Sequence, residues 1–490
     1  MNKRFLIFSL IVLGVQLPSN AQITDFQKEF EEFTRQAQQE YEDFRNQANK
    51  EYANFMRKAW KTYIAKPKIK KPEEKPIPPK VYPKEEEKEP IKDIPKPYAE
   101  VVPVVEPKPQ PTPIEPIRES PQPVEKYHKF SFFKTDCRVR LDDSQRFALS
   151  NVDRMTLASV WEKLASDGYN NLIYDCLAIR DKLRLCDWAY FLMLKDLTDS
   201  YLGKGTNEST MLCAYIFAQS GYKMRLGIGT NRLYMMVGSN HLIFNKPYWQ
   251  IDNDYFYALD CKEQSLDICG ASMPNERSMS LLLNDLPVLA ERRGTSRTLQ
   301  SEAYKDIVAT LYSDENLVEF FGTYPSSKIG NNVCSRWAIY ANTPISESIK
   351  KQLYPVLENA IAGKSQKDAA NRLLNFVQTA FVYEYDDKVW GSDRAFFAEE
   401  SLYYPYCDCE DRSILFSRLV RDLMGLKVLL IYYPGHLATA VNFTEPVTGD
   451  YISLEGRKFV VCDPTYIGAP VGTTMPNMDN GAAKVIELTK

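Results

Sequence analysis

The chain has 490 residues, of which 44% are hydrophobic and 26% charged, with 61 lysines and arginines against 64 acidic residues. A net charge of −3 gives no basic excess for contacting a phosphate backbone, so nucleic acid is not an expected partner. No glycine-rich loop follows a strand, and no His, Cys and Asp cluster has the spacing of a metal site. We therefore expect no cofactor and no bound metal.

The first twenty-one residues predict a secretory signal peptide. Lys3 and Arg4 precede the apolar run Phe5–Val15, and residues 19–21 form a small-x-Ala cleavage site. We expect cleavage after residue 21 and an exported protein that is periplasmic, envelope-associated or secreted. No other stretch approaches the ~20 apolar residues of a transmembrane helix, so the mature chain is expected to have no membrane span.

Residues 22–65 carry an eleven-residue repeat. The repeated positions are Glu29-Phe30, Glu40-Tyr41 and Glu51-Tyr52, together with Phe33, Phe44 and Phe55 and with Ala37, Ala48 and Ala59. Eleven residues make three helical turns, so the repeat keeps one aromatic face on a nearly straight helix. The segment is predicted to self-associate or to bind an envelope partner through residues 23–65. The alternative is a single amphipathic helix that lies on its own protein.

Residues 66–127 differ sharply in composition from the rest of the chain. They contain 17 of the 30 prolines, mixed with lysine and glutamate. Such tracts are typical of disordered, semi-rigid spacers in polyproline II conformation, with a rise of ~3.1 Å per residue. We expect an extended linker without a packed core of its own.

The remaining chain predicts two globular units, residues 128–295 and 296–490. Residues 207–228 resemble residues 411–432: each has an apolar-striped helix, a glycine and a strand, at an offset of 204. The repeat indicates a duplicated α+β unit. Three β-favouring runs, Ile307–Tyr312, Leu317–Phe321 and Ser335–Tyr340, are expected to open the second unit.

The second unit contains a possible catalytic triad. Cys409 is expected at the N-terminus of a helix, where the dipole and the unpaired N–H groups lower a thiol pKa. His436 begins one predicted strand and Asp463 ends the next, each 27 residues after the previous member. If helix and strands pack in sequence, Cys409 attacks, His436 transfers the proton and Asp463 orients the imidazole.

This pattern resembles the transglutaminase-like superfamily. The residues that carry the resemblance are Tyr406–Arg412, Gly435-His436 and Cys462–Tyr466. It implies tandem papain-like α+β units, preceded here by a long helix and the linker. The aligned positions of the first unit are Gly205, Arg232 and Asp260, so its copy is degenerate. Membership implies attack on an amide carbonyl, followed by hydrolysis or by transfer to an amine.

Supporting residues are less sharply defined by the sequence. The backbone N–H of Cys409 is a natural oxyanion donor, Tyr404 is a candidate second donor or a packed aromatic, and Asp411 is a candidate support residue. Cys407 or Cys409 could alternatively form a disulfide with Cys462. Asp463 could alternatively serve only to form the turn before Pro464.

Together these patterns predict an exported thiol amidase that hydrolyses protein or peptide substrates through a cysteine thioester. An acyl transferase that crosslinks proteins differs only in whether water or an amine resolves the thioester. A non-catalytic envelope scaffold that retains the fold is the alternative from another class.

Overall fold

A computed structural model describes residues 20–73, 75–83, 91–104, 106–120, 125–166 and 168–489. The predicted signal peptide, except for its last two residues, lies outside this part of the chain. Across the described residues, no helix combines the length and apolar character that crossing a membrane requires.

The elements follow one another along the chain in three groups. The N-terminal group contains α1 (Asn20–Met56), β1 (Trp60–Ile64), β2 (Ile94–Pro95) and β3 (Glu100–Val102). The first unit contains β4 (Tyr127–Phe132), β5 (Thr135–Arg140), α2 (Arg154–Ser166), α3 (Asn170–Lys182), α4 (Asp187–Leu202), α5 (Asn207–Gln219), β6 (Met224–Ile228), β7 (Leu233–Ser239), β8 (His241–Ile243), β9 (Trp249–Ile251), β10 (Asp254–Tyr257) and β11 (Ser265–Cys269). The second unit contains β12 (Arg293–Gln300), β13 (Val308–Asp314), α6 (Glu315–Gly322), β14 (Ser327–Ile329), α7 (Ser335–Asn342), α8 (Glu347–Ile361), α9 (Gln366–Thr379), β15 (Val382–Tyr383), α10 (Asp386–Val389), α11 (Ala398–Tyr403), β16 (Tyr406–Cys407), α12 (Cys409–Met424), β17 (Lys427–Tyr433), β18 (His436–Asn442), β19 (Asp450–Leu454), β20 (Arg457–Cys462) and β21 (Lys484–Glu487).

The main sheets of the two units repeat one strand order. The first sheet runs β1-β11-β6-β7-β10-β9, and the second runs β2-β19-β20-β18-β17-β21-β3. Read from its other edge, the second contains β21-β17-β18-β20-β19, which matches β11-β6-β7-β10-β9 strand for strand. All these neighbours are antiparallel, and a helix, α5 or α12, precedes the first central strand in each unit. The fold class is therefore α+β, as predicted.

The two units share a strand pairing and a hydrophobic core, and the predicted boundary between them does not fall in a loop. The position between residues 295 and 296 falls inside β12, which forms a hairpin with β13. Strand β14 of the second unit pairs with β8 of the first, and one cluster of buried apolar side chains extends through both units. The division into 128–295 and 296–490 stays a prediction, and local composition carries no signal for the core that the two units share.

The predicted helix over 22–65 ends earlier than expected. Helix α1 stops at Met56, and β1 follows, pairing antiparallel with β11. Trp60 is buried while Lys61 and Thr62 are exposed, so the sheet edge rather than the helical repeat determines the conformation there.

The C-terminal part of α1 packs on the first unit. The Tyr52 ring lies 4.5 Å from that of Trp161, whose Nε1–H donates to Asn49 Oδ1 at 3.0 Å. Phe44 and Phe55 are 47% and 58% exposed, so the phenylalanine positions of the repeat face away from the protein there. One face of the helix therefore lies on its own chain, and association through the other remains a prediction.

The Pro-rich segment is extended in its described parts, but it is not a free spacer. Strand β2 pairs in parallel with β19 at one edge of the second sheet, and β3 pairs in parallel with β21 at the other. Val102 is 2% exposed. Prolines are compatible with edge strands, where one side of the ladder needs no donor, so proline content did not prevent docking.

Two predicted strands are helices. Leu317–Phe321 lies in α6 and Ser335–Tyr340 lies in α7, whereas Ile307–Tyr312 largely coincides with β13. Asp314 caps α6 by accepting a hydrogen bond from Asn316 N at 3.0 Å. Short apolar runs do not separate helix from strand by periodicity, and the cap at Asp314 was the missed signal.

Candidate active site

The N-terminus of α12 holds Cys409 in its first turn. The Asp408 carboxylate caps the helix by accepting from Glu410 N at 3.1 Å, and Asp411 Oδ2 accepts from Asp408 N at 3.2 Å. Asp411 Oδ1 also accepts from Phe396 N at 2.8 Å, and Asp411 is fully buried. Asp411 thus fixes the helix start to the preceding loop, and its role in supporting catalysis stays a prediction.

His436 and Asp463 form a buried pair on neighbouring strands. His436 Nε2 and Asp463 Oδ2 are 2.9 Å apart, and both residues are 2% exposed. His436 Nδ1 has no hydrogen-bond partner within the described part of the chain. Asp463 Oδ1 also accepts from Thr465 N at 2.9 Å. Asp463 therefore both forms the turn and orients the imidazole, leaving Nδ1 available.

Cys409 and His436 line the same groove, which has a volume of ≈ 790 Å³. The described residues include no hydrogen bond between Cys409 and His436. The structure therefore brings all three predicted residues together at one place, with the His436–Asp463 contact formed.

The protonation of Cys409 differs from the prediction. Burial raises the pKa of the Cys409 thiol well above its ordinary value, and the neighbouring carboxyls of Asp408 and Glu410 add to the increase. A hydrogen bond from Leu437 N–H acts in the opposite direction. The expected low thiol pKa is thus wrong for this arrangement, because desolvation and two acidic neighbours outweigh the helix terminus. Here the thiol keeps its proton.

The disulfide alternative is not found. All ten cysteines are free and buried. Cys407 lies in β16, which pairs in parallel with β15, and Cys462 donates through its thiol to Val460 O at 3.6 Å. Burial raises the pKa of both thiols.

Tyr404 does not line the groove. Its ring packs 4.8 Å from Trp390 and 5.0 Å from Phe396, and its carbonyl accepts from the Arg297 guanidinium. This position matches the packed-aromatic alternative and favours it over an oxyanion donor. The backbone N–H of Cys409, at the first helical position, has no acceptor within its own helix.

Gln378 and Arg412 position the site, and sequence reasoning missed both. Gln378 Nε2 donates to three carbonyls of the loop after β20: Asp463 O at 3.0 Å, Tyr466 O at 2.8 Å and Ala469 O at 3.1 Å. Buried Arg412 ties α12 to the end of α9 by donating to Gln378 O at 3.0 Å. A polar residue in the apolar stripe of α9 was the available signal for Gln378.

The corresponding positions of the first unit also meet. Gly205, Arg232 and Asp260 line one small cavity of ≈ 60 Å³, in which Lys195 Nζ lies 2.6 Å from Asp260 Oδ2. Cys213 lies inside α5, and burial raises its pKa to about 12. Its described lining includes no imidazole, and Gly205 stands at the position that aligns with Cys409.

Three carboxylates that the sequence did not connect form a cluster in the large groove. Oxygen atoms of Asp386, Asp393 and Glu410 lie within 4.8 Å of one another. We call these three residues the acidic subsite. Two of them lie on or beside the short helix α10 and the third follows Cys409, so their sequence spacing gave no metal-like pattern.

Comparisons with known proteins yield no relative: no family model matches the chain, and no curated protein and no solved structure matches it.

Proposed function

We propose that this chain is an exported thiol amidase of the transglutaminase-like type, which hydrolyses amide bonds in peptide or protein substrates. One observation carries the proposal. Cys409 at a helix N-terminus shares a groove with His436, whose Nε2 is held by Asp463 and whose Nδ1 has no partner in the described chain. A nucleophile, a base and an orienting carboxylate are the groups that acyl transfer through a thioester requires.

The reaction begins with the protonated thiol. As Cys409 Sγ forms a bond to the substrate carbonyl carbon, its proton passes to His436 Nδ1, and Asp463 stabilises the imidazolium. The carbonyl oxygen becomes an oxyanion that the N–H groups of the first turn of α12 can bind. The amide C–N bond then breaks, and His436 returns the proton to the leaving amine. Water, deprotonated by His436, attacks the thioester and releases a carboxylic acid and the thiol.

The first unit supplies no such chemistry. Its cavity has Gly205 where the second unit has Cys409, and an arginine cannot act as a base near neutral pH. We infer that the first unit supports the second through their shared core and contributes no turnover.

A fluorogenic peptide pool tests this function. The purified chain is expected to release fluorescence, and Cys409→Ser is expected to abolish the release. Cys213→Ser is the matched control, because Cys213 lies beside the cavity of the first unit and is expected to retain full activity. Equal rates for the chain and Cys409→Ser would contradict the proposal. No release by the chain, with Cys409 alkylated no faster than Cys213, would favour the non-catalytic scaffold.

A further inference from the structure

A piece of the Pro-rich segment crosses the groove. We call residues 70–73 and 75–77 the covering segment. It begins beside the first unit, where Asn245 N donates to Ile69 O at 2.8 Å. It ends on the second unit, where Ile77 N donates to Gly435 O at 2.8 Å. Lys71 and its neighbours therefore form one wall of the groove that contains the triad.

The turn before His436 leaves room for this chain. Gly435 has a φ of +80°, and a Cβ built there would lie 2.4 Å from Lys75 O. A side chain at Gly435 is thus excluded by both the backbone conformation and the passing carbonyl. Gly435, directly before His436, therefore leaves space for an extended peptide to lie against the turn.

The covering segment places an ammonium group in the acidic subsite. Lys71 Nζ lies 2.9 Å from Asp393 Oδ2 and donates to Asp393 O at 2.9 Å. Only 9% of the Lys71 side chain is exposed, although it belongs to a segment rich in solvent-facing lysines. Burial of a long cationic side chain costs hydration and rotamer freedom, so the subsite must compensate for both.

The subsite has an acceptor that the protein leaves unused. Glu410 is 6% exposed; its Oε2 accepts from Trp337 Nε1, while its Oε1 has no hydrogen-bond partner in the described chain. Burial, followed by the nearby Asp393 carboxylate, raises the pKa of Glu410 to about 8, and the Lys71 ammonium opposes that rise. Glu410 Oε1, a buried carboxyl oxygen beside Cys409, can therefore accept a hydrogen bond or bind a cation.

We propose that the acidic subsite binds the side-chain ammonium of a lysine-type residue in the peptide substrate, and that Lys71 occupies this place as an internal pseudo-substrate. The proposal rests on the proposed amidase function, since it assigns the substrate class to that same groove. Glu410 directly follows Cys409 in the chain, so the acidic subsite and the nucleophile line the same groove. Substrates must displace the covering segment before they bind.

The chemistry of the subsite favours a lysine-type cation. An ammonium has three N–H donors around one point charge, and Asp393 alone offers it a carboxylate oxygen and a backbone carbonyl. Arg336 already approaches Asp393 Oδ2 to 4.0 Å, and Lys71 shows that an ammonium fits beside it.

Alkylation of Cys409 by iodoacetamide, mapped by mass spectrometry, tests the proposal without requiring turnover. Lys71→Gln is expected to accelerate labelling of Cys409 by releasing the covering segment. Lys68→Gln is the matched control, because Lys68 is an exposed lysine three residues away and is expected to leave the rate unchanged. Melting temperatures of both variants check that the fold is kept.

The same assay measures what the subsite binds. An acetylated, amidated peptide copying residues 69–73 is expected to protect Cys409 in the Lys71→Gln chain. A twin with norleucine in place of the Lys71 copy is expected to bind at least about tenfold more weakly, as the loss of a charge-assisted hydrogen bond predicts. Asp393→Asn is expected to abolish the difference. Since Asp393 is exposed, this variant is expected to fold even where Glu410→Gln does not.

Each result has a distinct meaning. Equal protection by the two peptides, or protection by calcium ions that removes their difference, would overturn the lysine subsite while leaving the thiol amidase intact. Unchanged Cys409 labelling in Lys71→Gln would overturn the pseudo-substrate. Labelling of Cys409 that is independent of His436 would instead contradict the proposed amidase.

Discussion

The two units share a strand order and differ at the one place where that order brings three side chains together. In the second unit, Asp463 is almost fully buried and holds His436. In the first, the side chain of Asp260 is 53% exposed and binds Lys195. The same backbone arrangement therefore accommodates a desolvated imidazole pair in one copy and a surface ion pair in the other.

The comparison shows that the two cavities differ in the burial of their side chains more than in the order of their strands. A carboxylate orients an imidazole strongly only where water does not compete for it, whereas an exposed ion pair contributes at most about 1 kcal/mol. The groove of the second unit is also large and acidic, while the cavity of the first is too small for a peptide. Sharing the fold of the second unit is thus not enough to predict activity for the first.

Exchange of the nucleophile is expected to have the largest effect. Cys409→Ala should lower the peptide hydrolysis rate by at least about a thousandfold, as the loss of a nucleophile does in triad enzymes. Placing a thiol in the first unit by Gly205→Cys in that inactive chain should restore nothing, because Arg232 offers no base. Initial rates with a fluorogenic peptide measure both. Activity in the double variant would break the comparison between the units.

The second-largest expected effect comes from exchanging the carboxylate that orients His436. Asp463→Asn should lower the hydrolysis rate by roughly a hundredfold or more, because the amide no longer stabilises the imidazolium. Asp260→Asn, the same change in the first unit, should leave the rate unchanged. The ratio of rates at saturating peptide measures the effect, and similar losses in both variants would mean that the units act together in catalysis.

Gln378 is expected to contribute mainly to stability. Gln378→Leu leaves three buried carbonyls of the loop after β20 without a donor and should lower the unfolding free energy by at least about 2 kcal/mol. Gln366→Ala is the control, since Gln366 makes its hydrogen bonds at the surface, and its effect should stay within about 0.5 kcal/mol. Urea unfolding measures both. Equal midpoints would show that the loop is held by other contacts.

A further expected effect is a pH dependence of the stability of the second unit. Burial raises the pKa of Glu399 to about 7, although its carboxylate accepts two hydrogen bonds from Ser346. The folded-state pKa lies above the unfolded value of about 4.3, so the folded form binds the proton more tightly. The contribution of Glu399 to stability is therefore fully present below pH 4 and decreases as the pH rises to about 7.

A series of melting temperatures between pH 5 and 8 checks this sign. The native chain should melt at a lower temperature as the pH rises, and Glu399→Gln should flatten the curve. Glu358→Gln, a change at an exposed glutamate, should reproduce the native slope. A native curve that rises with pH would show that other groups dominate.

The positions of Cys409, His436 and Asp463 in the fold could be predicted from the sequence because strong local patterns surround each residue. The cap before Cys409, the turn before His436 and the Asp-Pro turn at the end of β20 each lie within a few residues of the side chain they place. What it missed depends on distant contacts. Lys71 meets Asp393 across more than three hundred positions, and no periodicity in the Pro-rich segment encodes that meeting.

Desolvation was the second limit of the sequence argument. The helix start at Cys409 favours a thiolate, yet the burial that raises its pKa results from packing of α12 against β17 and β18, which composition does not reveal. The early end of α1 has a similar cause. The eleven-residue repeat continues in the sequence, but residues 60–64 form β1 and pair with β11 instead of extending the helix.

Competitive labelling of the ten cysteines is the most direct test of the central claim, that Cys409, His436 and Asp463 act as one unit. Iodoacetamide at neutral pH, followed by mass-spectrometric mapping, should modify Cys409 first, because His436 Nδ1 accepts its proton during attack. His436→Ala should slow that modification strongly, Asp463→Ala should slow it less, and Cys407→Ala should leave it unchanged. Preferential labelling of Cys407 or Cys462, or an unchanged Cys409 rate in His436→Ala, would contradict the account.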